Sequence, residues 1–159
     1  MLGELSRKDI QEILARHAIG RLGCHARGLT YVVPVSYVYD GASAIYFHSL
    51  DGLKIQMMRE NPHVCFEVDT VEDPANWQSV IAWGTCEELT GEAAARGLEL
   101  LLNRLLPFIT GETTTPSSGV PGSANIKKLK TEVLVCRLNL SEMTGRFEKR
   151  DHPQKKEVG

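Results

Sequence analysis

Between Ile19 and Leu89 the chain is a succession of short runs rich in β-branched and aromatic residues, separated by tight turn signals, and no other feature restricts its fold as strongly. Ile19–His25 and Tyr31–Tyr39 flank Arg27-Gly28, and Asp40-Gly41 separates the second run from Ala44–His48. Further runs follow at His63–Asp69 and Ser79–Leu89. Many strands at close spacing with few helices predict a mainly β fold, a small antiparallel barrel with flanking helices, rather than a doubly wound sheet. Tyr31–Tyr39 and Ser79–Cys86 are apolar at nearly every position instead of alternating, so both of their faces need cover.

Three helices punctuate the strands. Ser6 followed by Asp9 is a variant capping box, and Ile10, Ile13 and Leu14 share one face of a helix expected over Arg7–His17. Asp51 is placed to cap a short helix over Gly52–Glu60, which Asn61-Pro62 stops. The longest helix is expected from Gly91 to Pro107. Polar Val71–Trp77, with Pro74, reads as a connecting loop, and 110–124 as a mobile one. Glu132–Leu140 reads as the last strand, extended by Thr144–Phe147, before a frayed tail.

Composition narrows the class of function. A formal net charge of −2 without a basic stripe gives little of the counterion release that drives nucleic-acid binding, and Lys127, Lys128 and Lys130 read as a solvated edge. The first residues carry charges and lack a signal-peptide core, and Leu98–Ile109 is far short of the roughly 20 residues that span a bilayer. Cys24, Cys65, Cys86 and Cys136 never form a CxxC pair and read as buried free thiols, so a cytoplasmic location is expected. No zinc-ligand spacing, nucleophile elbow, P-loop or GxGxxG fingerprint is present.

Chemistry concentrates in Tyr46–Lys54, where a strand passes through a small turn into a helix. The first amides of a helix lack internal partners and lie at the positive end of its dipole, which suits an anion such as phosphate. Gly52 lets the backbone approach it, Ser49 adds a hydroxyl, and Lys54 is a cation in a first turn that disfavours cations unless a bound anion compensates. On these residues alone Lys54 is equally compatible with a surface lysine, and His48 with a hydrogen-bonded spacer. Pro34 within a strand implies an edge, a bulge or a ligand-facing position. Trp83 reads as core or dimer packing.

The segment YFHSLDGLKIQMMRENPHVCFEVD resembles the central signature of the pyridoxamine 5'-phosphate oxidase-like split barrels that bind flavin mononucleotide (FMN). Tyr31–Tyr39 followed by Asp-Gly, and Trp77–Leu89 ending in GTCEEL, are similar to the strands before and after it, and Thr144-Gly145-Arg146 fits the closing strand. The likeness covers most of residues 5–106 and is closest to the nitroimidazole-resistance and flavin-nucleotide-binding branch. It implies an FMN-binding domain over residues 1–149, with 150–159 a disordered tail. It further implies that Ser49 and Lys54 hold the phosphate, with Gly52 and Leu53 as further cofactor-binding positions between them, that Phe47 and His48 line the site, and that Val33, Pro34, Val35 and Ser36 lie along the flavin ring. Gln78 and Ser79 would approach from a later strand, from the partner of a homodimer. His48 is the one candidate for a catalytic role. Many relatives carry a second basic residue where this chain has Leu53, which implies a weaker phosphate grip or an arginine borrowed from elsewhere, such as Arg146 or Arg21. Arg150-Asp151-His152 is similar to a substrate-binding Arg-x-His element but lies in the tail and is read as coincidence. The expected activity is reduction of a small organic acceptor, a nitro compound or quinone, by a reduced nicotinamide. The alternatives are a non-enzymatic flavin or haem binder and a deazaflavin-dependent reductase.

Overall fold

A computed structural model describes residues 1–109 and 133–151. The elements in chain order are β1 (Leu2–Glu4), α1 (Arg7–Arg16), β2 (Ile19–Ala26), β3 (Leu29–Tyr39), β4 (Ala44–Ser49), α2 (Leu53–Glu60), β5 (His63–Asp73), β6 (Asn76–Glu88), α3 (Gly91–Ile109) and β7 (Leu134–Glu148). Every strand pairing is antiparallel, in the order β1-β7-β4-β3-β2-β5-β6, and β6 pairs back onto β7. β2 to β7 therefore close a six-stranded ring, the antiparallel barrel expected from the strand spacing and the split barrel that the resemblance implies, with β1 added to the far end of β7.

Side-chain alternation fills the ring. Leu22, Cys24, Tyr37, Phe47, Phe66, Val68, Val80 and Leu138 point inward and are buried. Tyr37 meets Phe66 edge-on at 4.7 Å between ring centroids and donates its hydroxyl to the Leu14 carbonyl at 2.6 Å, which ties α1 to the core. Burial pushes the Tyr37 hydroxyl strongly upward in pKa, so it serves as a neutral donor. Ile10, Ile13 and Leu14 of α1 and Ile55, Met57 and Met58 of α2 belong to this same apolar cluster, so both helices contribute to the barrel core. α3 instead packs on the outside of the wall, where Leu98 and Leu101 cluster with Val135, Val38 and Tyr46.

Two local geometries show why these turns hold. Arg27 and Gly28 take φ of 52° and 72°, the pair of positive values that a two-residue hairpin matched to strand twist requires. Gly84 lies where the β6–β7 register shifts, and a Cβ there would fall 2.0 Å from the Asn139 carbonyl oxygen, so only glycine fits.

The structure corrects several sequence expectations. Val71–Trp77 is not a loop: β5 and β6 continue to a turn at Pro74-Ala75, with Val71 paired to Trp77. The Asp73 carboxylate holds that turn by accepting from the Ala75 amide at 2.8 Å and the Asn76 side chain at 2.7 Å, which polar composition alone does not reveal. β1 has no counterpart among the predicted strands, since three largely exposed residues carry no burial pattern. α3 passes through Pro107, which sits in the last turn and so forfeits a bond near an end already short of them. β7 is one strand, Leu134–Glu148, rather than two segments. Cys65 is only partly buried, unlike the other three cysteines, and Trp83 is 39% exposed on the outer wall rather than in the core. The segment 110–124, Lys127, Lys128 and Lys130, and the tail from residue 152 lie outside the described residues.

Candidate functional site at the split of the barrel

The split is a consequence of register. β4 pairs with β3 only over Tyr37↔Phe47, Val38↔Tyr46 and Tyr39↔Ile45, whereas β3 stays paired with β2 from Leu29 to Ser36. Beyond Phe47, β4 remains on β7, and the opposite edge of β3 has no strand partner among the described residues. Tyr37 donates its amide to the Ala18 carbonyl at 2.9 Å, toward the β2 side. By the two-residue alternation of an antiparallel ladder, the backbone positions of Pro34 and Ser36 then face the open edge. Pro34, which has no N–H, thus costs no ladder bond there.

Val33–Ser36 lie on the strand at one side of this split and His48–Lys54 at the end of the strand on the other. Their side chains differ. Val35 and Phe47 are buried in the barrel core and Val33 packs against it, so their side chains turn away from the split, and the amides of Val33 and Val35 face β2 by the same alternation. Pro34 is exposed and Ser36 partly so, both on the outer face. Ser49 is buried and donates its hydroxyl to the Leu50 carbonyl at 2.6 Å, so it must rotate to serve another acceptor. Gln78 and Ser79 do not join the cluster in one chain. The path along the wall from β3 through β2 and β5 to β6 is three strand spacings, about 14 Å at 4.8 Å each. Gln78 borders a separate cleft of about 430 Å³ with Trp77, Lys149 and Arg150, while the Ser79 hydroxyl bonds Glu67 at 3.3 Å.

The start of α2 has an unusual electrostatic arrangement. Gly52 is the N-cap in extended conformation, no side chain caps the helix, and its first turn holds no acid. A Cβ at Gly52 would meet nothing closer than the Leu50 carbonyl oxygen at 3.9 Å, so the approach is open. Asp51, expected as the cap, instead binds Arg59: the guanidinium Nη1 lies 3.1 Å from both carboxylate oxygens, and Nε donates to Glu88 at 2.7 Å. Sequence reading missed this clamp. Arg59 in a last turn is a visible signal, but its partner on β6 is 29 residues away.

Lys54 forms no ion pair among the described residues, yet its charge reaches two neighbours. Burial first, and Lys54 second, hold the His48 imidazole below its ordinary pKa, so it is neutral at pH 7. His48 Nδ1 is enclosed and has no hydrogen-bond partner among the described residues. Burial raises the Cys24 thiol to about 11 despite the opposing pull of Lys54. The arginines suggested as a second phosphate cation are engaged elsewhere, Arg21 with Asp69 at 3.4 Å and Glu67 at 3.7 Å, and Arg146 with Glu4 at 3.9 Å. A groove of about 870 Å³ along α3 contains none of the predicted site residues. Among the described residues no group of His, Cys, Asp and Glu could hold a metal, and no helix is long and apolar enough to cross a membrane.

Comparison with known proteins agrees with this geometry. A protein of Rhizobium meliloti (strain 1021), itself uncharacterized, is 28% identical over 142 residues, covering 89% of this chain and 92% of that protein. The crystal structure of a FAD-binding protein from Mesorhizobium loti superposes with a TM-score of 0.74 at 26% identity, over 94% of this chain and 99% of the other. A candidate 5-nitroimidazole antibiotic resistance protein from Bacteroides thetaiotaomicron shares the fold at 19% identity and a TM-score of 0.67, over 92% and 87% of the two chains. The family model described as pyridoxamine 5'-phosphate oxidase matches residues 6–147, nearly the whole of the barrel, and this chain belongs to that family.

Proposed function

We propose that the protein is a flavoprotein that binds FMN in the split of the barrel, as a homodimer, and acts as an oxidoreductase on a small organic acceptor such as a nitro compound or quinone. The observation that carries the reading is the start of α2: a helix whose first turn has a lysine, no acid and no side-chain cap, opening onto the edge where β4 leaves β3. The residues fit a flavin phosphate there. Lys54 supplies charge, the first amides of α2 supply donors, and Ser49 a hydroxyl once rotated from Leu50. Leu53 contributes its amide but no second cation. The exposed Pro34 and the backbone of Ser36 lie along the open edge, where a planar ring finds one apolar and one polar neighbour.

When bound, the flavin supplies the electron chemistry, taking hydride from a reduced nicotinamide, while the chain binds, orients and sets the electrostatics. His48, neutral with an unpartnered Nδ1, can hold or accept a hydrogen bond at the wall of the site without adding a second positive charge.

The dimer follows from what the helices leave bare. α3 covers β4 and β7, whereas Ile19, Val32, Val71, Ile81 and Trp83 on the outer face of β2, β3, β5 and β6 are each more than a third exposed. Apolar area of this kind on a sheet marks an association surface, and a two-fold pairing is the commonest way to cover it. The same pairing offers a partner's Gln78 and Ser79 a route to the split that they lack within one chain.

The test is to purify the protein, record its visible spectrum, and titrate flavin-free protein with FMN, FAD and riboflavin during sedimentation analysis. Expected are a flavin band, tighter binding of FMN than of riboflavin, a mass near twice 17.6 kDa, and anaerobic bleaching of the flavin by a reduced nicotinamide. A monomer that retains stoichiometric flavin overturns the shared site; a haem spectrum overturns the cofactor; an unbleached flavin leaves a binder without this electron donor.

A further inference from the structure

Arg59 has no place in the site described so far, yet it is the most constrained cation beside it. Its guanidinium uses Nη1 for both oxygens of Asp51 and Nε for Glu88, so it links the turn before α2 to the end of β6. Asp51 directly precedes the cap, Gly52, and is the nearest carboxylate in the chain to the start of α2. Aspartate is among the side chains best suited to accept from the first amides of a helix. In this chain that carboxylate would be an internal anion competing for the amides and for Lys54. The observed cap is Gly52, with no side-chain bond to the helix. Asp51 is turned to Arg59 instead, at 3.1 Å, and the same guanidinium is paired with Glu88 at 2.7 Å.

We propose that Arg59 is a positioning residue of the phosphate site: by holding and neutralising Asp51, in an assembly completed by Glu88, it keeps an internal carboxylate off the start of α2 and leaves those amides and Lys54 to an external phosphate. This inference rests on the phosphate reading above. It differs from a merely structural role for the ion pairs because it separates ligands that carry a phosphate from ligands that do not.

The experiment measures dissociation constants of FMN and riboflavin for flavin-free wild type, Arg59→Met, Arg59→Lys, Asp51→Ala/Arg59→Met and Glu88→Gln, each checked for folding by thermal denaturation. In Arg59→Met the preference for FMN over riboflavin should fall about tenfold, the equivalent of one modest charge interaction. Riboflavin affinity should change less than about twofold, a shift of a few tenths of a kcal/mol. Removing the freed carboxylate in the double variant should restore the preference. Arg59→Lys should restore part of it, since lysine keeps the charge but not the fork that spans two carboxylate oxygens. An unchanged preference in Arg59→Met, or no recovery in the double variant, overturns the inference. If Arg59→Met does not fold, Glu88→Gln decides in the same way, a reduced preference supporting the role of Arg59 and an unchanged one overturning it. A wild type that binds FMN and riboflavin equally is a separate result, since it removes the phosphate reading itself.

Discussion

Helices α1 and α2 do the same work on their buried faces and opposite work at their N-termini. Each contributes three apolar residues to the barrel core, Ile10, Ile13 and Leu14 from one and Ile55, Met57 and Met58 from the other. Each ends with an arginine in its last turn. At the start they diverge. α1 closes itself with a capping box, Asp9 donating its amide to the Ser6 hydroxyl at 3.2 Å and Ser6 donating its amide to the Asp9 carboxylate at 3.3 Å. α2 has no side-chain cap, no acid and a lysine, and the carboxylate that could have capped it is held away. A helix start that satisfies itself is structural; one kept open beside a cation with no ion pair among the described residues has the electrostatics that suit an anion.

The shared half of this comparison predicts the largest effects. Leu14→Ala and Ile55→Ala remove side chains that are 0% and 1% exposed, and each should cost about 2–5 kcal/mol in chemical denaturation. A large loss for one and almost none for the other would mean that only one helix belongs to the folded core.

The divergent half predicts a separation of binding from stability. Lys54→Ala should weaken FMN by about ten- to a hundred-fold, the equivalent of 1.5–3 kcal/mol, with little change in unfolding, because it removes a charge-assisted contact from a residue that makes no ion pair among the described residues. Ser6→Ala should do the reverse, leaving flavin affinity as it was and costing about 1 kcal/mol of stability. FMN titration and denaturation of the two variants in parallel would break the comparison if both properties moved together.

The smallest effect is in pH. The Ser6 hydrogen bond, the largest cause, holds the Asp9 carboxyl below its ordinary 3.8, so its contribution to stability is complete above that value and is lost as the pH falls through the lower folded pKa. The Ser6→Ala variant should therefore lose part of the acid limb of the wild-type stability profile. His48 follows the same sign for a different reason, burial before the charge of Lys54. Its native pKa is depressed, so the stability it contributes is full above its ordinary 6.5 and declines in more acid solution. An NMR titration that placed the His48 midpoint above 6.5 would contradict both causes.

Much of this was local and therefore readable from the chain. The hairpin turns at Arg27-Gly28 and Asp40-Gly41, the capping box and the apolar faces of α1 and α2 depend on residues within a few positions of one another, and the structure contains them. The segment Tyr46–Lys54 was legible for the same reason, since a strand, a turn and a cation in a first turn follow in order. The β5–β6 hairpin was misread where strands run past the core into solvent, because polar residues there are paid no penalty and leave no alternating pattern.

What only the tertiary structure decided are the relations between distant residues. The register by which β4 leaves β3 after Phe47 opens the split, and it depends on β4 remaining paired with β7, which lies more than 80 residues further along the chain. The inward turn of Val35 and Phe47 fixes which predicted site residues can offer a side chain to the split and which cannot. Asp51 illustrates the difference most directly. Local propensity makes it a helix cap, and a guanidinium anchored to Glu88 on another strand overrides that preference, because two charge-assisted contacts to a carboxylate outweigh a single bond to an amide. Sequence by itself thus determined most of the elements and the segment proposed to carry the chemistry, because those depend on neighbours along the chain, while the ring of strands determined which charges beside that segment are satisfied internally.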